Sequence, residues 1–216
     1  TCALPISNTA AAEFQKRLTA VTGVAAARWG FVGTLHSFLF RLLRKHGAMV
    51  GLPGELSLLA EESVEDSVKT IMDEMGVKCP FKKVESVLYW PNLVDCKKGA
   101  SYQPHELVAK EFHAQLRRNG LLTFETILFY GENLVKKLSA DGAASDWPFR
   151  ALFVDEVQDS GSADWRIYDA MPCESKFLVG DPDQSIYTFR GADPGGILGF
   201  RDAFPGPDGG PAPTVV

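Results

Sequence analysis

The sequence predicts an α/β protein: a parallel sheet whose chain is interrupted by a mainly helical insertion. The first observation behind this is a pair of short apolar runs, Ala151-Leu152-Phe153-Val154 and Lys176-Phe177-Leu178-Val179, each ending in an acidic, polar loop. Between them Trp165, Ile167, Tyr168 and Met171 recur at roughly helical spacing. Strand, short helix and strand make a right-handed crossover, so the two strands run parallel and a ligand site belongs at their carboxyl ends. The second observation is the amphipathic, helix-like character of residues 35–146, with strand-like stretches only towards the two ends. A helical insertion into one α/β domain explains that order better than two tandem domains.

Taken in order, the opening heptapeptide Thr1-Cys2-Ala3-Leu4-Pro5-Ile6-Ser7 matches one translated frame of a common sequencing-adapter oligonucleotide. It is left out of the fold reading, with the expectation that the chain is a piece of a longer reading frame. Asn8 to Leu18 starts a helix with Asn8 or Thr9 as its cap. Val21 to Val32 is a small-residue run that fits a strand or a loop. Phe38, Leu39, Leu42 and Leu43 then form the apolar side of a helix whose other side carries Arg41, Arg44, Lys45 and His46. After a break at Gly47 to Gly54, Leu59 to Met75 reads as a helix with an acidic start, as the helix dipole favours.

Cys79 to Tyr102 is mixed and aromatic, punctuated by Pro80, Pro91 and Gly99. Pro104 to Asn119 is a helix with Leu107, Val108, Phe112 and Leu116 inward. Leu121 to Leu138 is the next helix, and Asp141 to Asp146 a polar linker. The tail 205–216, rich in Pro and Gly, reads as irregular.

At 216 residues and 45% apolar, the chain can bury a substantial core. A net charge of −5 and a pI near 5.4 exclude a polycation, so a nucleic acid must be met by a local basic face. The four cysteines are scattered without a CxxC pair, which fits isolated thiols in a reducing cytoplasm. No apolar run approaches the roughly 20 residues that span a bilayer.

The crossover brings Asp155, Glu156, Asp181 and Gln184 to one edge, a pattern suited to a metal and a phosphate. Asp155, leaving the core directly behind four apolar residues, can hold Mg²⁺. Glu156 can orient or deprotonate an attacking water, although an Asp-Glu pair behind a strand also serves as a solvated turn. The Gln184 amide can donate to a phosphate oxygen and accept from water. Tyr187, Phe189 and Arg190 offer a stacking surface for unpaired bases, with core packing as the plainer role for one of the aromatics.

Val154-Asp155-Glu156-Val157-Gln158-Asp159-Ser160, followed by Val179-Gly180-Asp181-Pro182-Asp183-Gln184-Ser185-Ile186-Tyr187-Thr188-Phe189-Arg190-Gly191-Ala192-Asp193, resembles the Walker B box and third helicase motif of the UvrD/Rep/PcrA family of superfamily 1 DNA helicases. Three weaker matches fall in the same order. Asn8-Thr9-Ala10-Ala11-Ala12-Glu13-Phe14 is similar to the segment after the family's nucleotide-binding helix. Gly33-Thr34-Leu35-His36-Ser37-Phe38 is similar to the segment facing single-stranded DNA. Leu122-Thr123-Phe124-Glu125-Thr126-Ile127-Leu128 is similar to the segment closing the helical insertion.

The resemblance covers residues 8 to about 204. It implies a partial RecA-like P-loop NTPase sheet with a mainly helical inserted subdomain. The ATPase domain would comprise residues 8–34 and 147–204, with the insertion at 35–146. The implied activity is ATP hydrolysis coupled to 3′-to-5′ movement on single-stranded DNA and unwinding at duplex junctions, with ATP and Mg²⁺ as cofactors. Asp155 becomes the Mg²⁺ ligand, Glu156 the water-activating residue and Gln184 the sensor of the terminal phosphate, with Asp181 beside the nucleotide. Tyr187, Phe189 and Arg190 link that sensor to DNA. Thr34 and His36 contact the strand, the plainer role for His36 being a turn histidine bonded to backbone.

The departures from the family pattern are specific. No G-x-x-x-x-G-K-[ST] loop occurs in the 216 residues; its expected place is ahead of Asn8. Thr9 stands where the family has Lys, and Thr123 and Thr126 where it has acids. A second motor domain is expected beyond Val216, so the chain by itself is expected to be inactive. The alternative is a non-catalytic, helicase-derived module binding single-stranded DNA or protein. A third reading, a two-metal nuclease using Asp155, Glu156, Asp181 and Asp183, leaves the Gln-Ser-Ile-Tyr context without a role.

Overall fold

The computed structural model describes residues 2–4, 7–24, 30–88, 102–140, 147 and 149–184. In chain order the elements are β1 (Cys2–Leu4), α1 (Asn8–Thr22), β2 (Phe31–Val32), α2 (Leu35–His46), β3 (Ser57–Leu58), α3 (Glu62–Glu74), α4 (Phe81–Leu88), α5 (Pro104–Asn119), β4 (Leu121–Leu122), α6 (Phe124–Ala140), β5 (Ala151–Val154), α7 (Ser162–Ala170) and β6 (Ser175–Leu178). The chain is α/β with parallel sheet, as the sequence predicts. It divides into two compact units, Thr1–Arg41 with Gly131–Val216, and Leu42–Tyr130. Among the described residues no helix is long and apolar enough to cross a membrane.

The first unit is built on a four-stranded sheet in the order β2-β1-β5-β6, parallel throughout. The opening heptapeptide, against expectation, belongs to the fold. Cys2, Ala3 and Leu4 form the strand between β2 and β5, and all three are buried. Ser7 accepts the Ala10 N–H at 3.1 Å, so it and not Asn8 or Thr9 caps α1. That helix runs on to Thr22 and stops at Gly23, whose φ of 67° closes the αL cap.

Strand, helix and strand stand where the apolar runs place them, with β6 one residue earlier than expected; Val179 still donates its N–H to the Val154 carbonyl at 2.9 Å. Alternation along β5 buries Leu152 and Val154 and turns Phe153 outward, where it stacks on its register partner Phe177 at 4.8 Å. On the covered side Ile167, Tyr168 and Met171 of the α7 segment are buried. Phe38 and Leu39 of α2 also lie in this core, Phe38 meeting the Trp147 ring edge-on at 5.9 Å.

The second unit packs α3, α4 and α5 around Val68, Ile71, Val84, Leu88, Val108, Phe112 and Leu116. α4 falls within the stretch read as mixed, and α3 is shorter at both ends than Leu59 to Met75. α5 has the expected bounds: Pro104 starts it, Glu106 accepts the Gln103 N–H at 2.8 Å, and Gly120 ends it at φ 65°. Leu107, expected inward, is 38% exposed, while Ala109 and His113 are buried. The buried stripe 108, 109, 112, 113, 116 leaves position 107 off its edge.

Leu121 and Leu122 are not the first turn of the next helix. They form β4 and pair in parallel with β3. α6 begins after Thr123, whose N–H donates to Thr126 Oγ1 at 2.7 Å and whose carbonyl accepts the Ile127 N–H at 3.0 Å. The two threonines thus perform a capping role that acids can also fill.

Candidate active site

Because every strand of the first unit's sheet runs the same way, the segments that follow β2, β5 and β6 emerge at one edge. Behind β2, Gly33 donates its N–H to the Ala3 carbonyl at 3.1 Å and delivers Thr34 beside Leu4. Thr34 caps α2: its hydroxyl accepts the Ser37 N–H at 3.2 Å and its carbonyl the Phe38 N–H at 3.0 Å. His36 stands in the first turn of that helix.

Behind β5, Asp155 donates its N–H to the Leu4 carbonyl at 3.3 Å, and its Oδ1 accepts the Glu156 N–H at 3.1 Å. Glu156 takes a left-handed backbone, φ 53° and ψ 41°. Among the described residues it is the one non-glycine with positive φ, a conformation costing about 1–2 kcal/mol. Asp155, Glu156, Thr34, His36 and Asp159 line a cavity of about 200 Å³ floored by Leu4. Four of the sequence-predicted site residues therefore share one cavity.

Asp181 and Gln184 stand behind β6 and do not line that cavity. Asp181 organises its own loop: Oδ1 accepts the Asp183 N–H at 3.0 Å, and Oδ2 accepts the Gln184 side-chain amide at 2.8 Å. The amide expected to meet a phosphate is donated to a carboxylate here. Tyr187, Phe189 and Arg190 lie outside the described residues.

Gln158, a residue that sequence reasoning gave no role, joins the two loops. It is 2% exposed. Its Nε2 donates to Glu156 Oε2 at 2.6 Å, and its Oε1 accepts the Asp181 N–H at 3.1 Å. Gly180 makes room for it: a Cβ there would lie 2.5 Å from Gln158 Oε1 and 2.8 Å from Val157 Cγ1. The glycine behind the second strand is the signal that could have pointed to this close approach.

Burial, reinforced by the Glu156 carboxylate, raises the pKa of Asp159, and its Oδ1 is buried without a hydrogen-bond partner. Burial also raises the Asp164 carboxyl, against the Gly161 N–H that it accepts at 2.9 Å. Among the described residues no three His, Cys, Asp or Glu side chains converge to cage a metal. Mg²⁺ does not require such a cage, since one or two carboxylates hold it while water and phosphate complete the shell. Asp155 places one such hard carboxylate at the cavity, which that demand allows; the glycine-lysine loop that would cradle a nucleotide's phosphates does not occur in these 216 residues.

Comparison with known proteins agrees with this architecture. Residues 1–205 match the UvrD/REP helicase N-terminal domain, and the chain belongs to that family. It is similar to the ATP-dependent DNA helicase PcrA of Leuconostoc citreum, 27% identical over 219 residues, covering 94% of this chain and 29% of that protein. The PcrA proteins of Staphylococcus epidermidis and Staphylococcus aureus are 26% and 27% identical, each covering 94% of this chain and 30% of their own length. The chain thus spans about three tenths of the curated relatives it matches.

Proposed function

We propose that this chain is the hydrolysis-and-sensing part of an ATP-dependent DNA helicase, which couples ATP hydrolysis to 3′-to-5′ movement on single-stranded DNA and to unwinding at duplex junctions. The observation that carries this reading is the Asp155-Glu156 pair in an oxygen-lined cavity at the carboxyl edge of a parallel sheet, in a chain of the UvrD/REP family. Residues 8–34, together with β1, and residues 147–204 are the two halves of the ATPase domain around an insertion at 35–146. The working compartment is the cytoplasm.

Asp155 would hold Mg²⁺, which would supply charge neutralisation at the phosphates. Glu156 takes a proton from, or orients, the attacking water. Asp181 and Gln184 read the terminal phosphate, Gln184 exchanging its Asp181 partner for it. Thr34 and His36 meet the DNA strand; Tyr187, Phe189 and Arg190 stack on its bases and tie it to the sensor. Without a phosphate-cradling loop, the 216-residue chain alone does not turn over ATP.

The test is Glu156→Gln in the complete reading frame, with steady-state ATPase and nucleotide affinity measured together. Loss of a water-activating carboxylate lowers kcat by about 10²- to 10⁴-fold and leaves nucleotide binding intact. Wild-type turnover by that variant, or Mg²⁺-dependent ATPase from the 216-residue chain that Glu156→Gln abolishes, defeats the corresponding part of the reading. The exposed Arg41, Arg44 and Lys45 of α2 favour one alternative, a non-catalytic module for single-stranded DNA. Strong, salt-dependent binding without nucleotide by a full-length protein that lacks ATPase would select it.

A further inference from the structure

We infer that Gln158 is a positioning residue that couples the Glu156 carboxylate to the loop carrying Asp181 and Gln184. A glutamine amide presents a donor and an acceptor on opposite sides of one rigid plane, and both are used here across the two loops. Only one orientation of the amide serves both partners, with Nε2 towards the carboxylate and Oε1 towards the N–H. The bond to Glu156, at 2.6 Å to an ionisable carboxylate, belongs to the stronger class.

The backbone around this bridge is pinned. Val157 donates its N–H to the Val179 carbonyl at 3.0 Å, and Val179 donates to the Val154 carbonyl at 2.9 Å. With the strands held, Gln158 is, among the described residues, the buried side chain bonded both to Glu156 and to the Asp181 amide. Gly180 lets the amide approach this closely. The consequence for catalysis rests on the reading of Glu156 as the water-activating residue: a change of partner at Gln184, once it moves Asp181, alters the aim of Glu156.

The coupling is tested on the 216-residue chain by ¹⁵N–¹H spectra and amide exchange. Gln158→Leu should speed exchange at the Asp181 amide about tenfold, whereas Gln158→Glu, with a proton shared between the two facing carboxyls in place of the amide donor, keeps the acceptor and the protection. Val157 and Val179 amides stay protected in both. Glu156→Ala should shift the Asp181 cross-peak in the parent chain and leave it in place in a Gln158→Leu background. Unchanged Asp181 exchange in Gln158→Leu, or an equal Glu156→Ala shift in that background, overturns the proposal. Gly180→Ala, which crowds Oε1 and also Val157, is read at the Asp181 amide with Val179 as the control should Gln158→Leu not fold. Failure of the ATP-hydrolysis reading would appear in the Glu156→Gln turnover and leave these amide results standing.

Discussion

Asp181 holds Gln184 by the side-chain amide, Oδ2 to Nε2 at 2.8 Å, three residues apart on one turn. The pair is exposed, so its value lies in where it points the amide and not in stability. Asp181→Ala should move the Gln184 side-chain resonances to free-amide positions while changing urea stability by no more than about 0.5 kcal/mol. A Gln184 amide unmoved by the substitution would mean that the contact does not form in solution.

The central place of β1 makes a stronger claim on stability. Leu4 is 3% exposed between its neighbours in the sheet, and Leu4→Ala should cost about 2–4 kcal/mol in urea unfolding. Cys2 is fully buried, and burial pushes its thiol pKa well above the ordinary range. Alkylation at neutral pH should therefore reach Cys79 well before Cys2, with Cys173, whose thiol burial also raises, between them, read by mass spectrometry of quenched samples. Prompt labelling of Cys2 would remove the strand from the sheet.

Glu132 links α6 to α7 through both carboxylate oxygens, at 2.9 and 3.0 Å from Arg166, and also accepts from Lys136 at 2.6 Å. Burial alone would raise its pKa, but the donors from Arg166 and Lys136 outweigh that and hold it below the usual 4.5. The folded form then binds the proton more weakly than the unfolded chain. Its contribution is complete above about pH 4.5 and drains as the pH falls through the folded value. Urea midpoints followed by Trp165 fluorescence should drop across this acid window, and Glu132→Gln should flatten the drop.

His113 sets a different window in the second unit. Burial keeps its imidazole neutral and lowers its pKa from 6.5, against the opposing influence of the Leu88 carbonyl at 3.0 Å and of Glu125. Below about pH 6.5 the unfolded chain takes up a proton that the folded unit refuses, so stability declines as the pH falls through that value. Urea titrations followed at α5 amide cross-peaks should show the decline between about pH 7 and pH 5 in the parent chain. The same slope in His113→Gln would assign it to another group.

What the sequence discloses follows the range of the forces involved. β5, α7 and β6 are legible because apolar runs and helical spacing are local, and α5 because Pro104 and Gly120 mark both ends. β3 and β4 are two residues each, too short for any period, and exist only through pairing with one another. β1 is only three residues long, and the heptapeptide that holds it looks like a translated adapter. α4 did carry a signal, Phe81, Val84 and Leu88 at helical spacing, obscured by the prolines around it. At the site, Asp155 and Glu156 stand out by chemistry alone. Gln158 acquires its role only when Gly180 comes against it, a contact that no local pattern encodes.

The left-handed backbone of Glu156 sets fold and chemistry at odds at one position. Glycine or asparagine would occupy that conformation at lower cost, so selection for thermal stability alone would replace the glutamate there. A library ranked by melting temperature should enrich the variants whose cavity has lost the Glu156 carboxylate.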